Sequence, residues 1–325
     1  MSQQNQTGSD PAVGKDRPIL RGNMLAILMT IVSMATFLLN DTMVKLSADA
    51  MPMSQIVVVR GLFATGLLLA AVIWLGDTVG LRHIANARVI GRGAMETLGT
   101  FFFLTALFNM SIANVTAIFQ CVPFLMTILA VIFLGEKVGI RRWAAIAVGF
   151  LGVLFIVRPD IDGFNIYALS VLVAALAIAV RDILTRTIDN NIPTSIISFV
   201  TSLLVLLAAA IASPFETWVP MTWGDVLWLA MASVCIVLGY SSIVLALRVG
   251  NISVVAPYRY TIIIFSLLSG YLVWGDVPTL SAFFGIVLIT GSGIFVFVRE
   301  RKHDQEEADE GLHTNDTGCA QTQNK

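Results

Sequence analysis

The chain has 325 residues, of which 57% are hydrophobic and only 13% charged, and its mean hydropathy is +0.83. A soluble domain is nearer a quarter charged, so this balance excludes an ordinary soluble globule and points to a polytopic membrane protein. The net charge of −1 leaves no basic footprint for nucleic acid.

The first segment, "MSQQNQTGSDPAVGKDRP", is polar and lacks the apolar stretch and small-residue cleavage site of a signal peptide, so residues 1–21 read as a disordered arm. Apolar runs close to the ~20-residue spanning length then follow at about 23–45, 54–75, 88–109, 113–134, 141–158, 166–187, 193–213, 223–247, 253–274 and 279–298. Their connections are short and rich in turn residues: "ADAMP", "RPDIDG", "NNIPT", "GDVPT". The tail, 301–325, has almost nothing to bury and reads as disordered. With the N-terminus inside, nearly every basic loop residue from Lys15 to Lys302 falls on the inner side, and only Lys45 and Arg158 fall outside. By the positive-inside rule both termini are then cytoplasmic.

The two halves match. Shifted by 141, "NDTMVKLSADAMP" (Asn40–Pro52) falls on "RDILTRTIDNNIP" (Arg181–Pro193). Shifted by 140, Leu98-Gly99 falls on Leu238-Gly239 and Gly135-Glu136 on Gly275-Asp276, and a one-residue gap reconciles the offsets. Each half holds five runs. An odd number makes the halves enter the membrane in opposite senses, as in transporters whose site lies at the midplane between inverted repeats. The expected fold is therefore an all-α integral membrane protein, ten transmembrane helices in two inverted five-helix repeats at 22–159 and 160–300.

With its five-plus-five runs, the turn "LGEKVGIRRW" (Leu134–Trp143), "APYRY" (Ala256–Tyr260) and "GDVP" (Gly275–Pro278), the chain resembles the drug/metabolite transporter superfamily, EamA-type family, over roughly 22–300. Tyr258 departs from the Phe found in many relatives and adds a hydroxyl. The resemblance implies a transporter of the inner (plasma) membrane with a central cavity lined by spans 1–4 and 6–9, and spans 5 and 10 peripheral. It implies no substrate and no direction of transport. No cofactor is expected. The expected partners are a small-molecule substrate and the bilayer, with a homodimer among the assemblies left open.

Six charges lie within the runs: Asp41, Arg60, Glu96, Arg181, Asp182 and Arg259. Each such charge costs roughly 2.5–3.5 kcal/mol on the insertion scale, so it is expected to be paired or functional. Asp41 and Asp182 lie near span ends with a base at i+4, Lys45 and Arg186, and read as local pairs. Arg181 is close enough to an end to snorkel. Arg60, Glu96 and Arg259 lie about 9–13 Å along their helices. Glu96 has Arg92, Arg60 and Arg259 as candidate partners, and burial would favour its neutral form enough to carry a proton. The planar forks of Arg60 and Arg259 suit a carboxylate, a carbonyl, a phosphate or Glu96 itself.

Other candidates are polar or aromatic. Ser33, Thr36 and Asn40 share a helix face, as do Thr116, Gln120, Pro123 and Thr127 in span 4, where Pro123 would break the helix. Tyr240, Tyr258 and Tyr260, with Phe101, Phe102, Phe103 and Phe119, would make one wall of a pocket, tilting the cargo toward a flavin-like or nucleoside-like compound. The candidate substrate-binding or coupling residues are thus Asn40, Arg60, Glu96, Gln120, Tyr240, Tyr258, Arg259 and Tyr260. An enzyme is the rival class, but the three histidines, His83, His303 and His313, all lie outside the apolar runs. No metal-ligand or catalytic motif is present either. Cys121, Cys235 and Cys319 have no framework or ligand spacing.

Overall fold

The computed structural model describes residues 16–135, 138–157, 165–189, 191–249, 256–296 and 298. Most of the two tails, and much of the basic set behind the orientation argument, lie outside these residues, as does the side chain of Arg186. The regular structure among the described residues is helical. In chain order it comprises α1 (Asp16–Ser47), α2 (Met53–Trp74), α3 (Ala87–Asn109), α4 (Ile112–Phe119), α5 (Val122–Leu134), α6 (Ile140–Val157), α7 (Ile166–Arg186), α8 (Thr194–Ala212), α9 (Trp223–Val249) and α10 (Thr261–Ser269), followed by α11 (Leu280–Val296). α1 starts seven residues before the apolar run that announced it.

Among the described residues, seven segments are long and apolar enough to cross a membrane: α1, α2, α4 with α5, α6, α7, α8 and α9. The other three expected spans fall short for visible reasons. α3 is 23 residues long but carries Arg88, Arg92 and Glu96 in its first ten residues. The ninth run is divided into a 3-10 turn at Ala256–Tyr260, α10, and a π turn at Gly270–Trp274. α11 is described over Leu280–Val296, 17 residues, and again at Val298.

The sequence dictates these ends. Pro52 and Pro193 stand at the N-caps of α2 and α8 in extended conformation, where a missing N–H costs no helical hydrogen bond. Gly135 and Gly275 close the fourth and ninth runs at φ 69° and 71°, the left-handed region that glycine enters without steric cost. Pro123 sits in the first turn of α5. It offers no N–H to the carbonyl of Phe119, so α4 stops there and Gln120 and Cys121 form the joint.

The bundle core sits where helices of the two halves cross. α1 packs on α9, α3 on α7 and α8, α2 on α8 and α9, and α10 on α1 and α4. Glycines permit close crossings, two of them between equivalent helices of the halves. A Cβ on Gly99 of α3 would lie 2.8 Å from Ile178 of α7, and one on Gly239 of α9 would lie 2.6 Å from Phe37 of α1. Large apolar side chains such as Ile211, Leu245 and Ile264 point outward, as a lipid-facing surface requires.

Polar contacts tie together the end of the bundle that holds the α1–α2 turn. The Ser54 amide donates to Glu216 Oε2 at 2.8 Å, and Gln55 exchanges two hydrogen bonds with the Val219 backbone. Lys45 Nζ donates to the terminal α3 carbonyls of Leu107 (2.8 Å) and Met110, and it lies 5.3 Å from the Trp274 ring centroid. The expected Asp41–Lys45 pair is therefore not formed, because carbonyls left open at a helix C-terminus compete for the ammonium. Asp41 accepts from Asn40 instead.

Candidate functional site

A partly open cavity of about 100 Å³ lies among α2, α3, α8 and α9. Its lining runs from Val57 to Leu68 on α2, from Arg92 to Thr100 on α3, from Ser198 to Val205 on α8 and from Ile236 to Tyr240 on α9. These stretches occupy the middle of each helix, within ~25 Å of the tied end.

Arg60 is the buried cation of this wall, with 8% of its surface exposed. Its Nη1 donates to Asn40 Oδ1 at 3.1 Å, so Asn40 of α1 holds the guanidinium from behind without lining the cavity. Arg92 enters from one turn before Glu96. Its Nε donates to Thr185 of α7 at 3.0 Å and its Nη1 to Thr201 of α8 at 2.5 Å. Glu96 Oε2 receives Arg181 Nη1 at 2.5 Å in an ion pair between α3 and α7, and Arg181 also bonds Asp182. Among the described residues, Glu96 Oε1 receives only the Tyr240 hydroxyl, at 3.5 Å. The Tyr240 ring meets Phe37 edge-on, with centroids 5.1 Å apart.

The carboxylate partner named by the structure is thus Arg181, not Arg60, Arg92 or Arg259. Spacing along one helix favours Arg92, but α3 lies along α7 and brings Arg181 to the same depth. Arg181 turns into the bundle, where the carboxylates of Glu96 and Asp182 accept from it. Asp182 takes the adjacent Arg181.

The cavity brings together Arg60, Glu96 and Tyr240 from the sequence candidates. Gln120 lies at the α4–α5 joint, away from the lining. Tyr258 and Arg259 keep accessible surface on the turn before α10; Arg259 makes no hydrogen bond or ion pair to another described residue, and Asp182 is the opposite charge that acts on it. Tyr260 is buried with its ring directly over Gly293, so it packs this turn against α11. The sequence reading passed over Arg92, Thr201 and Ser202. Arg92 entered there only as a candidate partner of Glu96. The signal for the hydroxyls was Ser198, Thr201 and Ser202 at i, i+3 and i+4 of one helix face. The Ser33–Thr36–Asn40 stripe does bond across helices, with Ser33 Oγ donating to the Gly239 carbonyl at 2.7 Å.

The arrangement binds and holds charge; among the described residues no cluster of His, Cys, Asp or Glu could hold a metal ion. The model of the EamA-like transporter family matches the chain twice, over residues 24–158 and 165–298. The chain belongs to that family. It is a multi-pass membrane transporter of the drug/metabolite transporter superfamily, not an enzyme. It is 27% identical to an S-adenosylmethionine uptake transporter of Rickettsia bellii, covering 85% of this chain and 93% of the relative. Identity is 28% to a riboflavin transporter of Vibrio cholerae, over 71% and 79% of the two chains. It is 26% to the pseudopaline exporter CntI of Pseudomonas aeruginosa, over 81% and 92%. A solved crystal structure shares the fold, with a TM-score of 0.56 and 16% identity over 83% of this chain and 96% of that one.

Proposed function

We propose that the chain is a secondary active transporter that carries a small flavin-, nucleoside- or amino-acid-like metabolite across the inner membrane by alternating access. In this reading it has ten spans in two inverted five-helix repeats, both termini are cytoplasmic, and the cavity among α2, α3, α8 and α9 is the transport site.

One observation carries the proposal: the lining is built from equivalent positions of the two halves. At offset 141, Val57 corresponds to Ser198, Arg60 to Thr201, Gly61 to Ser202 and Ala64 to Val205. At offset 140, Glu96 corresponds to Ile236 and Thr100 to Tyr240. Twelve of the fifteen lining residues fall into these six pairs. A cavity at the axis relating two repeats must be lined in this way, and one elsewhere need not be. The packing repeats as well. Exchanging the halves turns the α1–α9 contact into α7–α3, and α2–α9 into α8–α3. It also turns the Gly239–Phe37 crossing into Gly99–Ile178, and the caps Pro52 and Gly135 into Pro193 and Gly275.

Such a pair of repeats can rock about a central site. The tied end, with Lys45, Ser54 and Gln55, acts as the closed gate in this conformation, on the outer side by the distribution of basic residues. Relatives include both uptake and export proteins, and the same cycle serves either according to the gradients. Proton coupling through Glu96 requires its pair with Arg181 to open first.

The test is flux in proteoliposomes. An untargeted comparison of metabolites in cells with and without the protein supplies the candidates, and labelled solute then confirms carriage. Failure of every metabolite to cross, in protein that has inserted correctly, would sink the proposal.

A further inference from the structure

Taking the cavity as the transport site, we propose that it recognises its cargo through a carboxylate held between Arg60 and Arg92. A guanidinium carries five N–H donors. Arg60 gives one to Asn40, and Arg92 gives two to the hydroxyls of Thr185 and Thr201. Among the described residues, neither has a carboxylate within salt-bridge distance, because the ion pairs near the site belong to Arg181. Both guanidiniums line the same cavity. No nitrogen of either residue is a buried unsatisfied atom, so their remaining donors open on the cavity, and the strongest complement of a planar fork is a carboxylate or a phosphate.

Glu96 lines the same cavity beside the two arginines and is already neutralised by Arg181, so the choice between the two anions rests on what the rest of the cargo offers Glu96. Glu96 itself keeps an acceptor for an N–H of the cargo, since among the described residues Oε1 has only the long Tyr240 contact. The equivalent positions also divide the labour. The charged member of each pair lies on the first half, Arg60 against Thr201 and Glu96 against Ile236. The carboxylate end therefore points to α2 and α3, and the body of the cargo rests on the hydroxyls of α8 and on Ile236, Val237 and Tyr240 of α9. Arg92 becomes a specificity-determining residue. Within the proposed function, this favours amino-acid-like cargo over uncharged flavins and nucleosides.

The experiment uses the full chain in lipid nanodiscs and follows its melting temperature with the twenty L-amino acids and common 2-hydroxy and 2-keto acids, each beside its primary amide. At least one acid should stabilise the protein, with its amide binding at least about tenfold more weakly. Arg60→Gln and Arg92→Gln should each weaken the acid by roughly ten- to a hundredfold, and Arg92→Lys should recover part of the loss. Equal binding of acid and amide, binding by no acid, or stabilisation by inorganic phosphate in place of acids overturns the proposal. The acid–amide comparison needs only wild-type protein, so a variant that fails to fold does not obscure the result. Uridine flux with unchanged strength in Arg92→Gln would overturn the carboxylate and leave transport intact. Acid binding without flux of any solute would overturn transport alone.

Discussion

Removing Arg181 should be the most damaging single change to the stability of the bundle. Its side chain is 16% exposed and that of Glu96 13%, with 2.5 Å between Nη1 and Oε2. Arg181→Gln leaves the part-buried Glu96 carboxylate on the cavity wall with only Arg92 and Tyr240 near it among the described residues. Breaking one partner of a buried pair costs about 3–5 kcal/mol, mostly the desolvation of the charge left behind. The residual exposure and the cation of Arg92 one turn away place the expected loss near the lower value, about 3 kcal/mol, or roughly a hundredfold in the folding equilibrium. Glu96→Gln/Arg181→Gln should recover most of that, because two neutral amides need no counter-charge. The assay is a double-mutant cycle of unfolding free energies in mixed micelles titrated with denaturing detergent. A single-variant loss under about 1 kcal/mol, or a double variant as unstable as the sum of the singles, would refute the view that this pair is a buried, desolvated contact.

Three other outcomes follow from the geometry. Gly239→Ala drives a Cβ into Phe37 and should cost about 1–3 kcal/mol. Gly66→Ala, with no atom within 4 Å of the new carbon, should be neutral or slightly stabilising, and thermal melting of the two variants checks the contrast. Arg259 looks indispensable from its place in an apolar run, but it keeps accessible surface and lies outside the lining. Arg259→Ala should therefore keep flux within a few-fold of wild type while Arg60→Ala loses it, and the reverse ranking would move the site to the turn before α10. Proton coupling through Glu96 predicts that Glu96→Gln flux no longer varies with pH, measured alongside counterflow to show that the carrier still cycles; an unchanged pH profile assigns the coupling elsewhere.

Much of the architecture was legible because lipid imposes it. Span length, turn residues and the placement of Pro52, Pro193, Gly135 and Gly275 are local properties, and the structure uses each as its chemistry requires. The break in span 4 was legible for the same reason, since Pro123 lacks an N–H wherever it is placed. The partners of the charges were not local. One helix places Arg92 four residues from Glu96 and Lys45 four residues from Asp41, and both spacings allow a pair. The chain uses neither as its short contact, because α7 brings Arg181 to Glu96 and the end of α3 brings carbonyls to Lys45. Which helices lie side by side decides this, and periodicity within a helix does not report it.

The repeat also explains why the site was only half visible. Two equivalent halves build the scaffold, so glycines, prolines and crossings recur at offsets 140 and 141. A site that discriminates one end of a cargo from the other has no use for that equivalence. It departs from the repeat where the lining is polar: arginine at 60 against threonine at 201, glutamate at 96 against isoleucine at 236, threonine at 100 against tyrosine at 240. Residues that match across the halves therefore report the fold, and those that fail to match at lining positions are the ones the proposed site uses. The family-like motif "APYRY", which has no counterpart in Thr116–Gln120 of the first half, leads to the turn that packs Tyr260 on Gly293. The mismatches lead to Arg60 and Glu96, and through them to Arg92.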